Sequence, residues 1–218
     1  MASQHKSALD KLLIIVRWFA TNAGYSTRTL RRQDAAKRLD LIEQMLDVQL
    51  PNDIRGLYAL FDGEEGECGG SFLGHGLMSI EQILDNAQIA LSFREPPEGT
   101  CIGECEFSDL LNEDNFTSTP PGAIRLTYFN PKWVPIIQDF GGNYIGVDLD
   151  PDLTGKSGQV IVFGRDEDDM FVLANDWKEF LDLLIVQIRT RPSELLGDVH
   201  LHDFLKPVVT IKDRSEHG

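Results

Sequence analysis

Residues 133–151 read WVPIIQDFGGNYIGVDLDP, and two features of that stretch decide the fold. Apolar residues run through Trp133 to Ile137 and alternate again at Ile145, Val147 and Leu149, and Gly141-Gly142-Asn143 between them tolerates the backbone of a tight turn. Two such runs joined this way form a β-hairpin. Upstream, Ile124, Leu126 and Tyr128 alternate in the same manner. Downstream, Gln159–Phe163 and Met170–Leu173 are joined through Arg165-Asp166-Glu167-Asp168-Asp169, short enough for a second hairpin. Consecutive short strands with tight turns predict an antiparallel meander.

Outward from these strands the period becomes helical. Asn175 is a suitable N-cap for a stripe of Trp177, Phe180, Leu181, Leu184, Ile185 and Ile188, which Pro192 ends. On the upstream side, Ser79 with Gln82 forms a capping-box pattern ahead of Ile80, Ile83, Leu84, Ala87 and Leu91. Ile54, Leu57, Tyr58 and Phe61 predict another helix, and Ala35, Leu39, Ile42 and Leu46 one before it. Leu9–Ala20 is apolar around much of its circumference, as in a helix docked on a body. Leu201, Phe204 and Leu205 suggest a short last helix, and Val208–Ile211 a terminal strand or extended tail. Residues 62–76, rich in Gly and Glu, and residues 94–121, bracketed by prolines, read as loops. Helices, then antiparallel strands, then helices give an α+β fold: a single, mostly antiparallel sheet flanked by helices at both ends of the chain. We divide it into a basic N-terminal helical extension, residues 1–38, packed on a body of residues 39–218.

The chain has 218 residues, enough for one well-filled core, and 42% hydrophobic residues, ordinary for a globular protein. Its net charge is −15. Residues 1–40 hold eight Lys/Arg against three Asp/Glu, which leaves twelve bases against thirty-two acids in the rest. Such a body repels phosphate polymers and anionic membranes and attracts basic partners. Three cysteines, Cys68, Cys101 and Cys105, form no disulfide framework and fit a reducing cytoplasm. The run Leu12–Val16 is too short to span a bilayer or to act as a secretory core.

In order along the chain, LPNDIRGLYALFDGEEGE (50–67), GHGLMSIEQIL (74–84), the 133–151 stretch, GQVIVFGRDEDD (158–169) and WKEFLDLL (177–184) resemble the motifs of the SUKH superfamily, from about Leu39 to Leu184. That superfamily holds fungal cell-wall-assembly regulators and bacterial immunity proteins. The resemblance implies an α+β fold and a binding role without catalysis. Bacterial members bind and neutralise toxins, often nucleases or deaminases; fungal members are regulatory scaffolds. Because the chain lacks the long low-complexity tails expected of the fungal type, the expectation is an immunity protein that holds a cognate, basic toxin, itself a monomer or homodimer. The alternative is a regulatory scaffold or adaptor that binds cellular proteins without a toxin.

The candidate partner-binding residues are the acidic turns, Asp62, Glu64, Glu65 and Glu67 and Asp166, Glu167, Asp168 and Asp169, together with Asp139, Asn143 and Asp148 of the hairpin. Concentrated carboxylates on exposed turns suit a basic partner, and equally suit a merely solvated edge. Trp133 and Trp177 are assigned to the core. No Gly-x-Ser-x-Gly elbow, Walker loop or His-Glu-x-x-His is present, so neither catalysis nor a cofactor is expected. Cys101-x-x-x-Cys105 with Cys68 and His75 lacks the paired short spacing of a zinc site, and Asp148-x-Asp150-x-Asp152 has Leu153 and Gln159 where a calcium loop needs Gly and Glu. No metal is expected.

Overall fold

In the computed structural model, residues 7–22, 30–65, 70, 72, 75–92, 101–102, 105–106, 113–195 and 205–206 are described. In chain order the helices are α1 (Ala8–Asn22), α2 (Leu39–Leu46), α3 (Asn52–Tyr58), α4 (Ile80–Ser92), α5 (Trp177–Thr190) and α6 (Pro192–Leu195). The strands are β1 (Leu30–Arg32), β2 (Phe61–Glu64), β3 (Gly76–Leu77), β4 (Cys101–Ile102), β5 (Cys105–Glu106), β6 (Thr117–Thr119), β7 (Trp133–Gln138), β8 (Asn143–Asp148), β9 (Gln159–Gly164) and β10 (Asp169–Ala174). The protein is α+β.

From Trp133 onward the meander forms as the alternation and turns predict: β7, β8, β9 and β10 pair antiparallel in sequence order, with β3 added beyond β7 and β6 beyond β10, whereas Ile124, Leu126 and Tyr128, which alternate like a strand, lie in irregular chain. Only the β10–β6 pair of this sheet is parallel. A register shift between Pro135 and Ile137 marks a bulge, which is why Ile136 and Ile137 are both in the main core despite being neighbours in sequence. Across from it, Gly146 leaves room for the β7 backbone, since a Cβ there would lie 2.3 Å from the Val134 carbonyl oxygen.

One face of the sheet is covered by helices. Ile15, Phe19, Ile42, Ile54, Ile83, Trp177, Phe180 and Leu184 join Val134, Ile145, Val147, Val160 and Val162 in one cluster. The other face has its own core, in which Phe116, Ala123 and Ile124 cover Trp133, Ile161, Phe163 and Met170. Both faces of the central strands are therefore dry, which a meander with a single helical cover would not give. The segment read as a loop is responsible: its residues 117–119 form the edge strand β6 on β10, and the chain that follows crosses the second face. Residues 101–102 and 105–106 in the same segment pair as a short hairpin.

The N-terminal elements share the main core. α1 lies on α5, with Lys11 paired to Asp182, and β1 pairs antiparallel with β2, so residues 61–64 are strand where the sequence reads helix end and loop. The Ser79 capping box forms in full: Gln82 N–H donates to Ser79 Oγ at 3.2 Å and Ser79 N–H to Gln82 Oε1 at 2.8 Å. At α5 the cap falls one residue later than expected. Asp176 is extended and accepts from Glu179 N–H at 2.8 Å, while Asn175 donates its backbone and side-chain N–H groups to the Glu179 carboxylate. Leu205 is buried, whereas Leu201, Phe204 and Val208–Ile211 lie outside the described residues.

Candidate protein-docking surface

An antiparallel meander puts alternate turns at the same end. The β7–β8 turn (139–142) and the β9–β10 turn (165–168) thus share one end of the sheet, and Asn143 ties them together. It is buried, and its Nδ2 donates to Asp139 Oδ2 at 2.8 Å and to Asp166 Oδ2 at 3.3 Å, while its Oδ1 accepts from Asp166 N–H at 2.9 Å. Asp139 Oδ1 in turn accepts from Gly141 N–H at 2.6 Å and Asn143 N–H at 3.0 Å. Burial pushes the Asp139 carboxyl up, but the hydrogen bonds from Asn143 and Gly141, with His75 nearby, outweigh it and hold the group below its ordinary range. Two carboxylates are fixed in place by these bonds.

At the tip of the first turn stands Phe140, with φ of 65° and 38% of its surface exposed. A large side chain in the left-handed region costs about 1 kcal/mol, so the fold spends stability to hold an aromatic ring there. Its ring rests on Gly76, where a Cβ would meet it at 2.6 Å and would meet Glu64 Oε2 at 3.3 Å. Glu64, which accepts from Leu77 N–H at 3.2 Å, is therefore beside the ring. Phe140 was not singled out in the sequence, although a large apolar residue between Asp139 and Gly141-Gly142 was the signal available.

The structure brings Glu64, Asp139, Asn143 and Asp166 together and leaves Glu65 and Asp168 exposed. It turns others inward. Asp62 is buried: Oδ2 accepts from Arg38 at 3.1 Å, Oδ1 from Ile80 N–H at 2.9 Å. Glu167 is buried against Lys206. Asp169 stays exposed, but accepts from the Thr117 hydroxyl at the start of β6. Glu67 lies outside the described residues. Trp133 and Trp177 are both buried, Trp133 against Phe163 and Trp177 against Phe180.

Asp148 is at the opposite end of β8 and has no exposed surface. Burial pushes its carboxyl from an ordinary 3.8 up to about 6, against hydrogen bonds from Asp150 N–H and Gln159 Nε2 at 2.9 Å each. The folded state thus binds this proton more tightly than the unfolded chain does. Its contribution to stability is present below pH 4 and is lost as pH rises through about 6. Urea unfolding should show a loss on the order of 2 kcal/mol between pH 4 and pH 7 that is absent from Asp148→Asn; parallel pH profiles for the two chains would remove this assignment.

Residues 35–183 match the SMI1 / KNR4 family (SUKH-1). Among curated proteins the chain is similar to "Cell wall biosynthesis/cell cycle regulator smi1" of Schizosaccharomyces pombe, 35% identical over 67% of this chain and 29% of that protein. It is similar to "Cell wall assembly regulator SMI1" of Saccharomyces cerevisiae, 34% identical over 64% of this chain and 32% of that protein. A third, "KNR4/SMI1 homolog 1" of Debaryomyces hansenii, is 46% identical over 77% of this chain and 48% of that protein. The chain spans about a third of the length of the first two relatives.

These findings overturn the immunity-protein expectation and its partner, a cognate basic toxin: the first two relatives are named as cell-wall regulators of fungi, and the third as a homolog of that type. The missing tails that favoured a toxin inhibitor carry no weight, because a sequence matching a third of its relatives says nothing about what lies beyond its ends. Among the described residues no helix is long and apolar enough to cross a membrane. With well over half its length inside the match, the chain belongs to the SMI1/KNR4 family (SUKH-1).

Proposed function

We propose that this chain is the docking body of a regulator of cell-wall assembly, which acts by binding cellular proteins and catalyses nothing itself. The observation that carries the reading is the sheet end at which Asn143 locks two turns together and holds Asp139 and Asp166 in place, with the ring of Phe140 exposed on the first turn. Fixed carboxylates give register and association rate, and an aromatic anchor gives affinity. The relatives' names support the cell-wall setting. The partner-binding set we put forward is Glu64, Glu65, Asp139, Phe140, Asp166 and Asp168, with Asn143 as its support. Residues 1–38 are proposed as an extension of the 39–218 body, carrying the helix and strand that complete its core.

The double variant Glu65→Lys/Asp168→Lys reverses two exposed charges and leaves the Asn143 network alone. Recovery of cellular proteins by affinity purification should fall about tenfold at low salt, and the gap from wild type should narrow as salt is raised. Equal recovery at every salt concentration would rule out this end of the sheet.

A further inference from the structure

A second surface, which begins on the residues just before the first acidic turn, has the opposite character. Leu13 and Arg17, one turn apart on α1, face Arg32, Gln33 and Asp34 at the end of β1 and the α3–β2 turn, Ala59 to Phe61, across a groove of about 440 Å³. Hydrogen bonds from Gln33 N–H to the Leu60 carbonyl at 3.2 Å and from Ala35 N–H to the Tyr58 carbonyl at 2.8 Å fix its floor. Leu60 is 37% exposed within it.

The charges are the informative part. The chain has 35 acids for 20 bases, so an arginine should find a carboxylate easily, and the neighbouring ones do: Arg38 pairs with Asp62, and Arg55 with Asp40 and Glu43. Arg31 donates to the Asp62 carbonyl. Arg17 and Arg32 are exposed, and neither guanidinium has a partner among the described residues. The one carboxylate in the lining, Asp34, is engaged with Ala36 N–H at 3.1 Å. Two guanidinium groups without a partner among the described residues thus flank an apolar trough in a strongly acidic protein.

We propose that this groove binds an extended acidic segment of another protein, one apolar side chain seated between Leu13 and Leu60 and carboxylates paired with Arg17 and Arg32. Guanidinium groups match carboxylates in bidentate geometry, and an apolar anchor between them supplies the desolvated contact that such pairs need. Nucleic acid is a poor occupant, because the rest of the surface repels a phosphate polymer that extends beyond the groove. A regulator with two docking faces of opposite sign can hold a basic and an acidic partner at once, and this second face does not depend on the first.

The test is selection of dodecapeptides from a random displayed library on the full chain, followed by fluorescence polarisation of the enriched peptides. The expected peptides carry an apolar residue next to Asp or Glu. Their affinity falls at least about tenfold for Arg17→Glu/Arg32→Glu, falls severalfold for Leu60→Ser, and is unchanged for Glu65→Lys/Asp168→Lys, with thermal melting preserved throughout. No enrichment, enriched peptides without acids, or equal binding to Arg17→Glu/Arg32→Glu overturns the proposal. So does a homodimer that the same double variant dissolves, which would give the groove to a second copy.

Discussion

Asp62→Ala should lower the unfolding free energy by about 3 kcal/mol, which for a chain of this size moves the melting temperature down by roughly 6 to 12 °C. The effect is large because one buried carboxylate serves three elements. It lies on β2, accepts the first N–H of α4 through Oδ1, and pairs with Arg38 just before α2 through Oδ2. Ser79 and Gln82 satisfy two other donors at the start of α4, so Asp62 closes a cap that local sequence leaves open. A negative charge at a helix N-terminus also opposes the positive end of the peptide dipoles. Alanine loses the cap, about 1 kcal/mol, strands the Ile80 N–H in a dry interior, about 1–2 kcal/mol, and leaves a small void. Arg38 is 41% exposed and can turn to water, so the pair itself adds less than a fully buried one would. Asp62→Asn, which keeps an acceptor for Ile80, should recover about half the loss. A variant as stable as wild type in urea would show that water replaces the carboxylate without cost.

Asp62 also marks the limit of what the sequence could say. In DGEEGE it is one acid among several, and a charge count assigns it to the surface with Glu64 and Glu65. Its partners stand 18 and 24 residues away, so no local pattern reveals that it turns inward. Glu167 hides in the same way, with a partner 39 residues on. The hairpins, by contrast, were legible because alternation and Gly-Gly-Asn are local signals, and the Ser79–Gln82 cap because its two halves are three residues apart. Thr117-Ser118-Thr119 was not: a polar run that ends at two prolines has no apolar pattern, and it becomes a strand only because β10 offers it an edge. Leu30-Arg31-Arg32 fails to announce β1 for the same reason, its charge drawing the eye from its pairing with β2. At the level of function, the superfamily was legible in the order of motifs, but its branch was not. The acidic surface that suggested a toxin inhibitor serves any basic partner equally well.

Asn143→Ala is the sharpest test of the docking end, because it should damage stability and recognition together and by separable amounts. The side chain makes three hydrogen bonds across two turns, and alanine leaves the Asp166 N–H and the Asp139 carboxylate without their buried partner. At about 1 kcal/mol for each bond, the chain should lose about 3 kcal/mol in urea unfolding. Asp139 should also lose part of what holds its carboxyl down: the Asn143 side chain is gone, while the Asn143 and Gly141 backbone N–H groups remain. Its titration, followed by NMR, should therefore move upward relative to wild type. Asn143→Asp separates charge from shape. It keeps an acceptor for the Asp166 N–H but sets a third carboxylate between Asp139 and Asp166, so it should be worse than alanine at pH 7 and recover as pH falls. Because Asn143 Oδ1 is the acceptor of the Asp166 N–H, hydrogen exchange at that amide should accelerate in Asn143→Ala while the β8–β9 ladder stays protected. Unchanged exchange there, with binding of cellular proteins intact, would mean that the two turns do not act as one surface.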